Sequence, residues 1–269
     1  MSVSPFAVCD DPSELVGFLH RLAEASADAI LPHFRQGGAI DNKAEAGRFD
    51  PVTEADRGAE AVMRLLIEAQ YPTHGIFGEE FPDKPAEGPF RWILDPIDGT
   101  RGFIAGVPLW GTLIGLAHDG KPLLGMMNQP YTGERFWNSP EGAHFRGPRG
   151  DRALATRKSG TLGDAILAAT APDMFAEAEF ARFGALSSAV RLTRFGGDCY
   201  FYCMVAMGCI DIVAEVGLKP FDIAPLIPII EAAGGVVTTW DGGDPSQGGA
   251  IIAAANPALH EAALKHLAG

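Results

Sequence analysis

One stretch constrains the fold of this chain more than any other: Trp92-Ile93-Leu94-Asp95-Pro96-Ile97-Asp98-Gly99-Thr100-Arg101-Gly102-Phe103. The apolar run Trp92-Ile93-Leu94 predicts a buried strand. It ends on two carboxylates, with Pro96 between them and Gly99 behind them. Unpaired carboxylates taken out of water cost several kcal/mol each, so protonation, a basic partner or a cation must compensate. No Lys or Arg lies between Asp95 and Thr100, which makes a hard cation the simplest partner. Pro96 keeps the chain extended between the acids. Gly99 permits a tight turn whose following amides point back at the same spot. The competing reading is an Asx-type turn closing the strand, with Asp98 capping the next turn of chain. A lone Asp-Gly would favour that turn; Asp-Pro-Ile-Asp-Gly-Thr behind an apolar strand favours the cation.

The elements on either side follow from periodicity and caps. Asp11-Pro12-Ser13-Glu14 reads as an N-cap, a proline at the first helical position and a capping-box acid. Leu15, Leu19, Leu22, Ser26, Ala29 and Phe34 extend that helix to about Arg35, where Gly37-Gly38 ends it. Thr53 caps a second helix with Asp56 in its first turn, and Gly75-Ile76-Phe77 is a short strand delivering Glu79 and Glu80. Trp110–His118 and Pro122–Gln129 form a hairpin about Asp119-Gly120. A further pair spans Glu134–Trp137 and His144–Phe145. Arg146 to Lys158 carries five basic residues and reads as an interdomain connection, dividing the chain at 147/148. Beyond it strands and helices alternate: strands Ala165–Thr170, Arg191–Phe195, Ile210–Glu215, Val236–Trp240 and Ala250–Ala254, with helices Phe175–Ala189, Asp198–Met207, Phe221–Ala233 and Pro257–Leu267. The first half is therefore α+β and the second α/β.

Composition excludes several partners. The net charge is −13, which argues against nucleic acid or an anionic membrane as the main partner. No apolar stretch reaches the roughly 20 residues of a membrane helix. The acidic start (Asp10, Asp11) lacks the basic and apolar segments of a signal peptide, so a cytoplasmic protein is expected. The four cysteines make no zinc pattern, and a Gly-x-Ser-x-Gly elbow and a Walker phosphate loop are both missing from the sequence.

Asp95-Pro96-Ile97-Asp98-Gly99-Thr100 resembles the metal-binding signature of the inositol monophosphatase family, Mg-dependent and lithium-sensitive phosphomonoesterases. Pro220-Phe221-Asp222-Ile223-Ala224-Pro225 with Glu231-Ala232-Ala233-Gly234-Gly235 is similar to the family's C-terminal signature, although Phe221 stands where Trp is usual. Gly78-Glu79-Glu80 and Pro51-Val52-Thr53-Glu54-Ala55-Asp56 resemble two further stretches, in the expected order. The resemblance implies a layered α/β/α/β/α fold, two or three Mg²⁺ ions and a frequent homodimer. By the same resemblance, Glu79, Asp95 and the Ile97 carbonyl serve one metal. Asp95, Asp98 and Asp222 serve a second. Glu80 and Thr100 orient and deprotonate the attacking water, Asp56 stands behind Thr100, and the Gly99 and Thr100 amides hold phosphate. Taken alone, Asp56 and Asp222 read as acids complementing a helix dipole.

The leaving group must be read elsewhere. After Thr100 the inositol-specific members usually carry an Asn before the phenylalanine; here Arg101-Gly102-Phe103 stands instead. Leu109-Trp110-Gly111-Thr112, Gly196-Gly197-Asp198-Cys199-Tyr200 and Glu215-Val216-Gly217-Leu218-Lys219-Pro220 are similar to the histidinol-phosphatase branch. Asp198 and Glu215 are the acids expected to receive a cationic substrate, and Arg101 a phosphate contact. Asp198 also reads as a helix N-cap, and Arg101 as a partner of a surface acid. Inositol 1-phosphate and nucleoside 3′,5′-bisphosphate are the alternative substrates. Some members of the fold are regulatory partners of RNA-processing or transcription machinery, a reading that a basic surface would favour.

Overall fold

The structure, a computed structural model, describes residues 5–9, 11–36, 40–42, 51–158 and 160–267. Helix α1 (Pro12–Ile30) begins where Asp11 Oδ1 accepts from the amides of Ser13 (2.9 Å) and Glu14 (3.1 Å). It stops at Ile30, earlier than the periodicity predicts. A turn then carries Phe34 back into the core, and Arg35 takes a positive φ of 63°. The Gly37-Gly38 stop lies outside the described residues. Strands β1 (Ile40–Asn42) and β2 (Pro51–Thr53) pair antiparallel, and α2 (Glu54–Gln70) comes directly after them.

A seven-stranded sheet comes next, built from β3 (Gly75–Gly78), β4 (Phe90–Asp98), β5 (Gly111–His118), β6 (Lys121–Gln129), β7 (Glu134–Ser139), β8 (Gly142–Arg146) and β9 (Arg152–Ala153) in that spatial order. Only β3 and β4 run parallel in it. The short helix α3 (Thr100–Ile104) leaves the end of β4. β9 lies within the basic stretch that reads as a connection and adds an exposed edge to this sheet.

The second half holds β10 (Ile166–Ala169), α4 (Glu177–Ala189), β11 (Leu192–Phe195), α5 (Asp198–Ala206), β12 (Ile212–Leu218), α6 (Pro220–Ile223), α7 (Ile227–Ala232), β13 (Val236–Thr239), β14 (Gly249–Ala254) and α8 (Pro257–Leu267). Its sheet has the order β11-β10-β12-β14-β13, with parallel pairing through β10 and antiparallel pairing through β14. Two sequence boundaries move. The helix expected over Phe221–Ala233 is two short helices, because Pro225 and Pro228 lack the amide protons a continuous helix needs. The strand expected to end at Glu215 continues to Leu218, so Glu215 sits mid-strand.

Helices α1 and α2 cover one face of the first sheet through Phe18, Leu19, Met63, Trp92 and Leu116. Helices α5 and α7 fill the space between the sheets, and α4 and α8 cover the far face of the second. This is the layered α/β/α/β/α arrangement that the resemblance implies. Among the described residues, no helix is long and apolar enough to cross a membrane.

Candidate active site

A regular strand turns alternate residues to opposite faces, so Asp95 and Asp98, three apart, should point away from each other. Strand β4 solves this with a bulge. Asp95 faces Leu113 and Asp98 faces Gly111, so three steps on β4 span two on β5. The bulged backbone is held from behind, where Thr112 Oγ1 donates to Pro96 O (2.8 Å) and lies 3.1 Å from Ser26 Oγ on α1. Gly99 comes next with φ +85°. A Cβ there would sit 3.1 Å from Asp198 Cγ, so both the backbone and the space require glycine.

Asp222 arrives from α6, and its Oδ2 accepts from the Lys219 amide (2.6 Å). It thus sits in the first turn of α6, as the helix-dipole reading has it, while also completing a cluster. One carboxylate oxygen each from Asp95, Asp98 and Asp222 lies within 4.8 Å of the others. Glu79 extends from β3, its amide donating to Leu94 O (3.2 Å), and adds its charge to Asp95. Asp95 is 2% exposed, and its Oδ1 has no hydrogen-bond partner among the described residues. Burial first, then the charges of Glu79, Asp98, Asp222 and Asp56, push the Asp95 carboxyl well above its usual range. Burial, then Asp198 and Asp222, raise Asp98, partly offset by its bond from the Cys199 amide (2.7 Å). Converging oxygens that repel one another, one of them unsatisfied, suit a hard divalent cation. The Ile97 side chain is fully buried, and its carbonyl accepts from Thr100 Oγ1 (3.0 Å).

Asp98 also joins the two halves of the molecule, because the amide it accepts belongs to the first turn of α5. The residue ahead of that amide, Asp198, takes φ 41°, a left-handed conformation that Asp tolerates better than most side chains. It is not the N-cap; Gly197 holds that position and Asp198 is the first helical residue. Asp98, Asp198, Tyr202, Glu215 and Asp222 line a cavity of about 160 Å³. Burial raises Asp198 to about 6 against the opposing pull of Arg101 and a bond with Thr170. Glu215 is 3% exposed and raised to about 7 by burial, although the Thr170 amide and the Tyr202 hydroxyl (3.0 Å) both donate to it. Arg101, whose charge reaches Asp198, is 61% exposed, with Nη1 3.5 Å from Asp173 Oδ2. The surface-pair reading is therefore observed for it.

On α2, Asp56 is fully buried, and so is Glu60 one turn later. Glu60 accepts from the amides of Glu80 (2.7 Å) and Phe81 (3.3 Å), next to the half-buried Glu79 and Glu80. Sequence reasoning missed Glu60. Its signal was an acid interrupting the otherwise apolar face Ala55, Ala59, Met63 and Ile67. Tyr202, which orients Glu215, was missed as one more aromatic on a packed helix.

Two sheets with a buried acid cluster at the rim of the central helix layer define a class, and the comparisons with known proteins agree with it. Residues 11–269 match the inositol monophosphatase family, and the chain belongs to that family. The bifunctional phosphatase IMPL2, a chloroplastic protein of Arabidopsis thaliana, is 40% identical over 223 residues, covering 82% of this chain. This chain spans 63% of the length of IMPL2. A histidinol-phosphatase of Chlorobaculum parvum is 37% identical over 248 residues, 88% of this chain and 90% of that protein. Among solved structures, an inositol monophosphatase from Zymomonas mobilis superposes with a TM-score of 0.83 at 41% identity, covering 94% of this chain and 97% of that one.

Proposed function

We propose that the protein is a Mg²⁺-dependent phosphomonoesterase whose substrate is histidinol phosphate. The observation that carries the reaction class is the trio Asp95, Asp98 and Asp222, with a buried Asp95 oxygen that lacks a partner among the described residues. Asp95, Asp98 and Asp222, with Glu79 and the Ile97 carbonyl, would hold two or three ions. When bound, such ions polarise the phosphate and lower the pKa of water. The chain's own residues do the rest. The Thr100 hydroxyl donates its hydrogen bond to Ile97 O, which leaves an Oγ1 lone pair to accept from and orient the attacking water. The Glu80 carboxylate would take the proton that this water loses, and Asp56, fully buried on α2, would act behind Thr100. The amides of Gly99 and Thr100, opening a helical turn, hold phosphate oxygens.

The substrate reading rests on the cavity beside the trio. Histidinol phosphate carries an ammonium and an imidazole. Asp198 and Glu215 are two acids that burial keeps at the edge of ionisation, so a cation would draw out their charged forms. A neutral polyol gains less from such a wall. Arg101 would meet the phosphate in place of its pair with Asp173. The name of the Chlorobaculum parvum relative, a histidinol-phosphatase, supports this choice. The test compares kcat/KM for histidinol phosphate, inositol 1-phosphate and adenosine 3′,5′-bisphosphate. Histidinol phosphate should lead by at least about tenfold, roughly 1.4 kcal/mol of transition-state discrimination. A lead for either competitor moves the substrate and leaves the phosphatase class standing; no turnover of any monoester favours the binding-protein reading. Inhibition by lithium, a cytoplasmic location and a homodimer belong to the same proposal. A monomer at micromolar concentration by sedimentation would remove the last of these without touching the chemistry.

A further inference from the structure

Helix α2 places a second fully buried acid one turn beyond Asp56. Glu60 is 0% exposed, and each of its oxygens is committed. Oε2 accepts from the Glu80 amide at 2.7 Å. Oε1 accepts from the Phe81 amide at 3.3 Å and from Arg64 Nε at 2.7 Å. The Arg64 guanidinium also donates from Nη2 to Phe81 O (3.1 Å) and lies 5.8 Å from the Phe81 ring centroid. A carboxylate and its counter-ion therefore grip the backbone of residues 80–81, immediately after β3. Gly78 completes the fit. A Cβ at that position would come within 2.1 Å of Glu60 Oε1, so the strand can approach the acid only through glycine.

Packing does not explain an acid at this position. Ala55, Ala59, Met63 and Ile67 are fully buried on the same helix, and an apolar side chain at position 60 would continue their face. Replacing a buried ion pair by apolar residues is often neutral or stabilising. What an apolar residue could not do is receive the Glu80 and Phe81 amides. Those amides leave the turn on the side of α2, while the Glu79 amide is bound to Leu94 O on β4. The turn between Glu79 and Phe81 is thus pinned from both sides, and the side chains of Glu79 and Glu80 leave from it.

We propose that Glu60, with Arg64, is a positioning residue that sets the Glu79–Glu80 turn against the Asp95 cluster. This rests on the roles given above to Glu79 and Glu80. Metal-site partners of this indirect kind typically change affinity or activity by about 10–100-fold when removed.

The test uses Glu60→Gln, which keeps the volume but turns a donor toward the amides it now receives. Three readouts are taken: Mg²⁺ affinity by calorimetry, kcat and KM for histidinol phosphate, and amide hydrogen exchange at Glu80 and Phe81. The expected result is Mg²⁺ binding weaker by about tenfold and kcat lower by about tenfold, with KM within about twofold. The last is expected because phosphate and leaving group are met by residues on other elements. Exchange at Glu80 and Phe81 should speed up by about tenfold while Glu79 stays protected. Unchanged exchange overturns the proposal. Faster exchange with unchanged Mg²⁺ affinity and kcat also overturns it, since the contact would then only be structural. If Glu60→Gln does not fold, Arg64→Lys takes its place; it keeps a cation but lacks the fork that reaches Phe81 O. A smaller shift in the same direction is expected from it, and none contradicts the proposal. If the wild-type protein hydrolyses no phosphate monoester, kcat drops out, but calorimetry and exchange still decide on Glu60.

Discussion

At the scale of single residues, the site is assembled against its own stability. Asp95 is buried, and that burial, then the charges of Glu79, Asp98, Asp222 and Asp56, raises its pKa. Asp95→Asn should therefore lower phosphatase activity by at least about 100-fold while raising the metal-free melting temperature at pH 8 by a few degrees. A calorimetric melt in EDTA checks the second half, and a lower melting temperature would show that the cluster is not strained. Gly99 predicts the reverse pattern. With φ at +85° and Asp198 Cγ only 3.1 Å from where a Cβ would stand, Gly99→Ala should cost on the order of 1–3 kcal/mol by denaturant titration. A loss below about 0.5 kcal/mol would mean that the turn relaxes freely. Asp95 and Asp98 were legible because acids beside Pro and Gly after an apolar run have few physical outcomes, whereas Asp222 was legible only through the family resemblance. Glu60 was not singled out, since an acid on an amphipathic helix is ordinary unless its partner amides are known.

At the scale of elements, caps and turns were the readable features. Asp11 does cap α1, and Asp11→Ala should cost about 1 kcal/mol. For a protein of this size that corresponds to a fall of roughly 2–4 °C in melting temperature; no change would show that the first turn frays without cost. The Asp119-Gly120 hairpin also formed as read, with positive φ at both residues. What could not be read were features that depend on a neighbour. The β4 bulge exists because β5 advances two residues while β4 advances three, and nothing within β4 announces it. The end of α1 at Ile30 is set by Phe34 turning inward onto Phe103 and Trp110, a contact between residues some seventy positions apart. The two short helices α6 and α7 were recoverable, because Pro225 and Pro228 stand in the sequence and lack the amide protons a continuous helix needs.

At the scale of the whole molecule, the five layers bring acids from both halves to one cavity, which makes stability depend on pH. Burial raises Asp198 from 3.8 to about 6 and Glu215 from 4.5 to about 7, so folding favours their protonated forms. Their contribution is complete below the unfolded values and is lost as pH rises through about 6 and then about 7. The metal-free melting temperature should accordingly fall between about pH 4.5 and 7, and Glu215→Gln should flatten the upper part of that fall. A variant curve parallel to that of the wild type would remove Glu215 as its source. The layer order was legible from strand and helix alternation together with the family resemblance. The meeting of Asp198 and Glu215 in one cavity with Asp222 was expected only from the resemblance to the histidinol-phosphatase branch, because physically it depends on how the second sheet stacks across α5.

The central claim is that carboxylates from three different segments hold the divalent cations that hydrolysis requires. It is tested most directly by following phosphate release from histidinol phosphate in saturating Mg²⁺, after EDTA, and after Mg²⁺ is restored, for the wild-type protein and for Asp222→Asn. The expected result is release that stops in EDTA, returns with Mg²⁺, and stays at least about 100-fold lower in Asp222→Asn under every condition. Release that continues undiminished in EDTA, or in the folded Asp222→Asn protein, would contradict it.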